Sequence, residues 1–238
     1  MPTRQGPNPD VTDASARTPF DGTREESERG KTALRTRLLA ERRRIGDGRL
    51  RTAGRTLAVH LRDSVLPVVP HDRSCIPIAA AFSSIRGEVP MDDLLRTLLD
   101  RGYRVLIPKL GAGMEVGWGR MDAPADLNRR ETIGGWRPDE PEGASLPAES
   151  LSGADLILVP ALSIDLRGTR LGRGGGWYDR ALTKREPGAL VVGICWEDEL
   201  TADPLPRQPH DLPVDAVLTP GGFTLIAAGR SHQGPSGS

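Results

Sequence analysis

A glycine-rich stretch at residues 164–180 carries the side chains best suited to chemistry. It reads IDLRGTRLGRGGGWYDR and follows an apolar run typical of a buried strand. Four glycines within five positions leave the backbone bare, so that successive N–H groups can turn toward phosphate oxygens. Arg170 and Arg173 could add charge-assisted hydrogen bonds to the same anion. The stretch therefore predicts a phosphate-binding turn between a strand and a helix.

This stretch differs from the two common nucleotide-binding loops. No GK[ST] follows the glycines, and their consecutive spacing does not fit the GxGxxG pattern of dinucleotide-binding folds. A flexible turn without a ligand is the simplest alternative, because glycines are also typical of surface loops. The two flanking arginines, the aromatic pair Trp177 and Tyr178, and Asp179 at the same junction favour a binding site.

Apolar runs and helical stripes alternate along most of the chain. The predicted strands cover residues 75–82, 105–107, 155–162, 189–195 and 216–218, and the predicted helices cover 31–45, 50–66, 91–99 and 176–184. Such alternation predicts a single α/β domain with a mainly parallel sheet and helices on both faces, a Rossmann-like three-layer arrangement. Ligands of these folds gather at the carboxyl ends of the strands.

The two ends of the chain have a different composition. Residues 1–28 are rich in Pro, Gly, Thr, Asp and Arg, with Phe20 as the only large aromatic residue. Such a segment cannot bury enough apolar surface to offset the entropy lost on ordering, so we predict a disordered tail. Residues 228–238 are equally polar, and we predict a second flexible tail there. The domain is expected to span residues 29–227.

Charge and cysteine content exclude several classes of function. The 32 Lys and Arg residues balance the 32 Asp and Glu residues, so no net field favours nucleic acid or an anionic membrane. No apolar run reaches the ~20 residues that span a bilayer, and no secretory signal is evident, so we expect a cytoplasmic location. Cys75 and Cys195 lie in apolar runs and are predicted to be buried free thiols.

The string RLGRGGGWYDR resembles the signature of the 5-formyltetrahydrofolate cyclo-ligase family, which usually reads RLGxGGGYYDR. The resemblance continues through DLILVPALSID before it and through VVGICWEDEL and LPRQPHDLPVDAVLTP after it. It covers the chain from about Lys31 to Leu225. Trp177 stands where tyrosine is usual, and residues 111–141 match only loosely. Trp177 keeps an aromatic face but moves the polar tip.

The resemblance implies an activity and its small-molecule partners. The family converts 5-formyltetrahydrofolate to 5,10-methenyltetrahydrofolate in one-carbon metabolism, using ATP as co-substrate and Mg²⁺ as cofactor. A phosphorylated formyl intermediate precedes ring closure, and ADP and phosphate are released. The expected partners are therefore these two substrates, with no nucleic acid and no membrane, and the expected state is a monomer.

The resemblance also implies a role for individual residues. The segment KTALR is similar to the opening KxxLR motif, and SIRGEV is similar to the segment whose glutamate contacts the folate. Arg170 and Arg173 are the implied catalytic residues, and Asp179 and Asp215 the implied Mg²⁺ ligands. The implied folate ligands are Glu88, Arg173, Trp177 and Tyr178. The implied ATP ligands are Lys31, Arg35, Arg170, Leu171, Gly172, Arg173, Gly174, Gly175, Gly176, Trp177 and Tyr178.

Each of these residues also has a purely structural interpretation. Lys31 and Arg35 share one helical face that could simply be solvated, and Glu88 could be an acid of a surface loop. Asp179 could cap a helix or pair with an arginine. The pair His210-Asp211 is expected to order a loop through a hydrogen bond, with no catalytic role.

Three other functions compete with the cyclo-ligase interpretation. A different phosphotransferase could use the same scaffold, because a fold and a phosphate loop do not specify the acceptor. A non-catalytic folate- or nucleotide-binding module is a second alternative, with a site altered by Trp177. A nucleic-acid-binding module is disfavoured, because the balanced charge and the few aromatic residues do not provide a stacking surface.

Overall fold

The computed structural model describes residues 24–72, 74–111, 115–128, 138–208 and 211–226. Most of the predicted N-terminal tail, the whole predicted C-terminal tail and His210 lie outside these ranges. Residues 24–28, which the composition assigns to the tail, instead form the first turns of a helix. Within that helix, Ser27 is buried against the domain, so this part of the tail prediction is corrected.

Four α-helices and twelve strands make up the described domain. The helices are α1 Arg24–Arg42, α2 Asp47–His60, α3 Asp92–Asp100 and α4 Trp177–Leu182. The strands are β1 Ile78–Ala80, β2 Arg104–Leu110, β3 Val116–Met121, β4 Leu127–Asn128, β5 Glu140–Pro141, β6 Leu156–Pro160, β7 Ser163–Asp165, β8 Arg170–Leu171, β9 Leu190–Ile194, β10 Leu200–Thr201, β11 Ala216–Thr219 and β12 Gly222–Leu225. A π-helical turn at Leu61–Val65 and a 3-10 turn at Leu66–Val68 extend α2.

The main sheet has seven strands in the order β12-β11-β9-β6-β1-β2-β3. Five neighbouring strands, β11, β9, β6, β1 and β2, run parallel, and β12 and β3 close the two edges as antiparallel strands. This confirms the predicted α/β class with a mainly parallel sheet. The antiparallel edges were not evident from the sequence, because an edge strand can reverse through a short turn without a crossover helix.

Alternating side chains of the central strands supply the core on both faces of the sheet. In β6, Leu156 and Leu158 join the cluster formed with α2 and α3, whereas Ile157 and Val159 join the cluster on the α4 side. Because both faces are covered, the strand reads as a continuous apolar run rather than as an alternation of apolar and polar residues. Among the described helices, none is long and apolar enough to cross a membrane.

Two local predictions differ from the structure. The predicted strand at residues 75–82 shortens to three residues, because Pro77 has no N–H for the ladder and β1 begins only after it. Cys195 is buried as predicted, but Cys75 is exposed just before β1, so its prediction as a buried thiol is wrong. Both thiols are free.

Candidate active site

A cleft of about 500 Å³ opens at the carboxyl ends of β1, β2 and β6. Its walls come from the chain after β1, the end of β6, the glycine-rich turn with α4, and Leu39 of α1. Parallel strands end at one edge of the sheet, so segments distant in sequence converge there. The glycine-rich turn and Glu88 therefore share one cavity.

Glycine is required at two positions of the turn. Gly174 and Gly176 have φ angles of +99° and +62°, in the left-handed region that side chains rarely adopt. A Cβ atom on Gly174 would lie 3.4 Å from Cζ of Arg35, so the bare backbone lets this arginine of α1 pack against the turn. Arg35 Nε donates a hydrogen bond of 3.0 Å to the carbonyl oxygen of Gly172. The first helix and the turn thus form one wall.

Arg170 is held at the cleft wall by three contacts. Its Nη2 donates to Asp179 Oδ1 at 2.9 Å, and its Nη1 donates to the carbonyl oxygen of Pro160 at 3.3 Å. The guanidinium carbon lies 5.7 Å from the centre of the Tyr178 ring. Its Nε is buried without a hydrogen-bond partner in the described part of the chain. These contacts fix the Arg170 guanidinium beside the glycine turn and leave its Nε–H as a donor for a ligand.

Arg173 faces Glu88 across the same cleft. Its Nε lies 3.3 Å from Glu88 Oε1, while Glu88 Oε2 accepts a hydrogen bond of 3.1 Å from the backbone N–H of Ile85. Burial raises the pKa of the Glu88 carboxyl above its ordinary value, and the nearby Arg173 charge partly opposes this shift. The cleft therefore combines a buried carboxyl group with a cation able to turn toward an incoming anion.

Two aromatic residues border the cleft beside Glu88. The rings of Trp177 and Tyr178 meet edge to face with centres 4.9 Å apart, and Trp118 packs against Trp177 at 5.1 Å. The Trp177 indole N–H donates to the carbonyl oxygen of Glu115 at 3.1 Å. Burial, and secondarily the charge of Glu88, raises the pKa of Tyr178, so its phenol stays protonated. The pair presents an apolar wall with one phenolic donor.

Lys31 is not part of the cleft wall. Its Nζ lies 2.6 Å from Asp211 Oδ2, and both side chains are largely buried. Of the two predicted basic residues in α1, the structure thus brings Arg35 to the glycine turn and pairs Lys31 with the loop before β11. The sequence missed Asp211 as the partner of Lys31. Its signal was the His-Asp pair, which we interpreted only as a loop-ordering element.

The structure does not bring the two predicted metal ligands together. Asp179 lies in the cleft, whereas Asp215 precedes β11, and its Oδ2 accepts a hydrogen bond of 2.9 Å from the N–H of Val191. Because Val191 lies near the amino end of β9, Asp215 sits at the opposite end of the strands from the cleft. Asp215 thus has a structural role here, which corrects its pairing with Asp179. Among the described residues, no group of three or more His, Cys, Asp and Glu residues could hold a metal ion.

The comparisons with known proteins agree with this geometry. The family model described as the 5-formyltetrahydrofolate cyclo-ligase family matches residues 27–220. The chain belongs to this family. A cyclo-ligase of Mycolicibacterium smegmatis is 35% identical over 213 residues, which cover 82% of this chain and 95% of the relative. The cyclo-ligase of Escherichia coli K12 is 32% identical over 149 residues, covering 59% of this chain and 76% of the relative.

Solved structures of the family share the fold. The 5,10-methenyltetrahydrofolate synthetase of Aquifex aeolicus superimposes with a TM-score of 0.66 at 28% identity, covering 87% of this chain and 97% of the other. The synthetase of Mycoplasma pneumoniae gives a TM-score of 0.59 at 21% identity, covering 80% of this chain and 98% of the other, and shows the fold alone. The protein is therefore an enzyme of the cyclo-ligase family with its α/β fold.

Proposed function

We propose that this enzyme catalyses the ATP-dependent cyclisation of 5-formyltetrahydrofolate to 5,10-methenyltetrahydrofolate, with release of ADP and phosphate. Family membership supports 5,10-methenyltetrahydrofolate synthetase activity. The observation that carries the proposal is the 3.3 Å approach of Arg173 in the glycine turn to Glu88 after β1. In this proposal the glycine turn binds the phosphates of ATP and the buried carboxyl group of Glu88 binds the folate, both in one cavity.

The reaction proceeds through a phosphorylated formyl group. The formyl oxygen attacks the γ-phosphorus of ATP, and ADP leaves. N10 then attacks the activated carbon to close the ring, and the loss of the N10 proton and of phosphate gives the methenyl product. Negative charge accumulates on the transferred phosphoryl oxygens, so positioned cations and N–H groups accelerate the step. Arg170, Arg173 and the N–H groups of residues 172–176 supply these donors at the cleft wall.

The folate occupies the side of the cleft that contains Glu88. A pterin edge is rich in N–H donors. The carboxylate oxygens of Glu88 can accept hydrogen bonds from these donors, which replace the bonds to water when the cleft is closed by the ligand. Trp177 and Tyr178 border this side as an apolar wall. In this proposal Arg173 moves from Glu88 toward the phosphoryl group when both substrates are present. A long guanidinium side chain that is one-third exposed has the freedom for this exchange.

ATP lies along the glycine turn and the adjacent face of α1. Arg35 already contacts the turn through the Gly172 carbonyl oxygen, and its Nη1 lies 4.0 Å from Glu28 Oε2, a loose ion pair that a phosphate could replace. Lys31 contributes to the same site by holding α1 in place through Asp211. The N–H groups of the turn and the nearby arginines share the charge of the polyphosphate.

Mg²⁺ fits this site as an ion carried by the nucleotide. Such an ion commonly takes one or two carboxylates together with phosphates and waters, so Asp179, the cleft carboxylate beside the glycine turn, would suffice to hold it. When bound, it neutralises charge on the phosphates. In the structure, Arg170 Nη2 donates to Asp179 Oδ1, so the same carboxylate would face both the arginine and the ion. Asp215 is not included in this site.

The test is turnover of the purified protein with ATP, Mg²⁺ and 5-formyltetrahydrofolate, followed by the absorbance of the methenyl product. We expect Arg173→Ala to lower kcat/KM by about 100-fold, since it removes a donor to the developing charge. The matched control is Arg96→Ala on the exposed face of α3, which should retain full turnover. Binding of both substrates without product, or full activity of Arg173→Ala, would contradict the proposal.

A further inference from the structure

An indole N–H holds the peptide unit that carries Glu88. Trp196 lies two residues after the end of β9 and is 1% exposed. Its Nε1 donates a hydrogen bond of 3.0 Å to the carbonyl oxygen of Gly87, which belongs to the peptide bond between Gly87 and Glu88. The N–H of the same peptide donates to the carbonyl oxygen of Ile85 at 3.0 Å. Both polar groups of this peptide plane are therefore fixed, and they set the direction in which the Glu88 side chain leaves the backbone.

The glycine before Glu88 makes such a restraint useful. Gly87 has a φ of +87°, which a residue with a side chain would rarely adopt. A Cβ atom at this position would lie 3.2 Å from Cβ of Arg42, so the loop passes close to the end of α1. Glycine allows this close approach but has more conformational freedom than other residues. The hydrogen bond from Trp196 thus adds an external restraint to the bonds that Ser84 makes with Val89 and Met91 within the loop.

Trp196 is itself held by a buried ion pair. Its backbone N–H donates to Glu199 Oε2 at 2.9 Å. Arg42 binds both oxygens of that carboxylate, with Nε at 2.6 Å and Nη2 at 2.7 Å, and the side chains are only 4% and 6% exposed. The guanidinium carbon of Arg49 also lies 4.7 Å from the centre of the indole ring. Because these contacts fix the Trp196 side chain, its N–H can hold the Gly87–Glu88 peptide in one orientation.

We propose that Trp196 is a positioning residue for folate recognition, acting through the Gly87–Glu88 peptide, an inference that rests on the proposed role of Glu88. Among the described hydrogen bonds, Trp196 makes none to the glycine turn and reaches it only through Glu88, which lies 3.3 Å from Arg173 Nε, so its main effect belongs to the folate side of the cleft. A residue that only filled the core would weaken the binding of both substrates to the same extent. A positioning residue weakens folate binding much more than ATP binding.

The experiment compares wild type with Trp196→Phe, which keeps an aromatic ring and removes the N–H. Calorimetry measures the Kd for 5-formyltetrahydrofolate and, separately, for ATP with Mg²⁺. Loss of one hydrogen bond predicts about a fivefold rise in the Kd for the folate. The Kd for ATP should change by less than about twofold. An equal rise for both ligands would overturn the proposal.

A double-mutant cycle with Glu88→Gln shows whether Trp196 acts through Glu88. If it does, adding Trp196→Phe to the Glu88→Gln protein changes the folate Kd by less than about twofold, because the positioned carboxylate is already absent. The same fivefold loss in both backgrounds would overturn the positioning role. A wild-type protein that neither binds nor converts the folate would instead refute the proposed function.

Stability is controlled with a variant remote from the cleft. Leu98→Val on α3 removes one methylene from a fully buried side chain, so it lowers stability without touching the Glu88 loop. It should leave both Kd values unchanged. If Trp196→Phe does not fold, the benzothiophene isostere of tryptophan introduced at position 196 keeps the ring shape and removes only the N–H. An unchanged folate Kd in that protein would refute the proposal.

Discussion

Lys31 Nζ lies 2.6 Å from Asp211 Oδ2 and joins the first helix to a loop 180 residues later in the chain. The ammonium group is 6% exposed and the carboxylate 14% exposed. Asp211 Oδ2 also accepts a hydrogen bond of 2.7 Å from the N–H of Gln208. One carboxylate thus orders its own loop and neutralises the only buried lysine among the described residues. The pair holds α1 against the domain together with the contacts of Arg35 with Gly172 and of Arg42 with Glu199.

Asp211→Ala should therefore destabilise the protein. Removing one partner of a buried pair leaves an uncompensated charge, at a cost of about 3 kcal/mol in the free energy of unfolding. Urea denaturation measures this loss. The control is Glu149→Ala, whose ion pair with Lys184 is exposed on both sides and should leave the denaturation midpoint unchanged. Equal effects of the two substitutions would contradict the role of Asp211.

Gly174→Ala should weaken ATP binding and stability together. The alanine would need a φ near +99°, at a cost of about 1–2 kcal/mol, and its Cβ would press on Arg35. We expect a higher KM for ATP and a lower denaturation midpoint. Gly188→Ala is the matched control, since no atom lies within 4 Å of its added Cβ and its φ is not positive. A Gly174→Ala protein indistinguishable from this control would refute the strained turn.

The raised pKa of Glu88 predicts a specific dependence of stability on pH. Between its unfolded value of about 4.5 and its higher folded value, the folded protein keeps a proton that the unfolded chain has lost. The contribution of the Glu88 carboxyl to the free energy of unfolding is therefore fully present below the unfolded pKa. It is lost as the pH rises through the folded pKa. Glu88→Gln does not titrate.

This direction of the pH dependence can be measured by comparing wild type with Glu88→Gln. The free energy of unfolding of wild type minus that of Glu88→Gln should fall as the pH rises from 5 toward 8. Subtracting the variant largely cancels the contribution of Glu199, whose pKa is also raised by burial. A difference that rises over this range would mean that the Arg173 charge outweighs the loss of hydration at Glu88.

Trp177→Tyr tests the departure from the usual family signature. The smaller ring loses the hydrogen bond to the Glu115 carbonyl oxygen and part of the edge contact with Trp118. We expect a loss of about 1–2 kcal/mol in the free energy of unfolding, measured by urea denaturation. Turnover should persist, because the family usually has tyrosine here. A tyrosine variant as stable as wild type would show that the indole is not adapted to this pocket.

Much of the fold and part of the site could be predicted from local sequence. The β6 run LILV is apolar throughout because it faces two helical layers, and this pattern is visible without coordinates. The glycines at 174 and 176 signalled a turn that needs positive φ angles. Trp196 carried no such signal, and the His-Asp pair that contains Asp211 indicated only a loop-ordering hydrogen bond. Their partners, Gly87 and Lys31, lie more than 100 residues away, and long-range pairs leave no periodic trace.

Asp215 illustrates the limit of carrying a role over by sequence alone. Its segment VDAVLT matches the family pattern, yet its carboxylate caps the start of β9 through the N–H of Val191, away from Asp179. A sequence motif specifies a residue type within a strand. It does not specify whether two such residues lie at the same end of the parallel sheet. That depends on the direction and register of the strands.

The sequence by itself determined the α/β class, the glycine-rich turn and the family, because these depend on short-range patterns of apolar residues, glycines and arginines. Only the tertiary structure decided that Arg173 meets Glu88, that Lys31 pairs with Asp211 and that Trp196 holds the Glu88 peptide. The physical reason is that parallel strands bring distant segments to one edge of the sheet, where burial raises the energetic cost of every unpaired polar group.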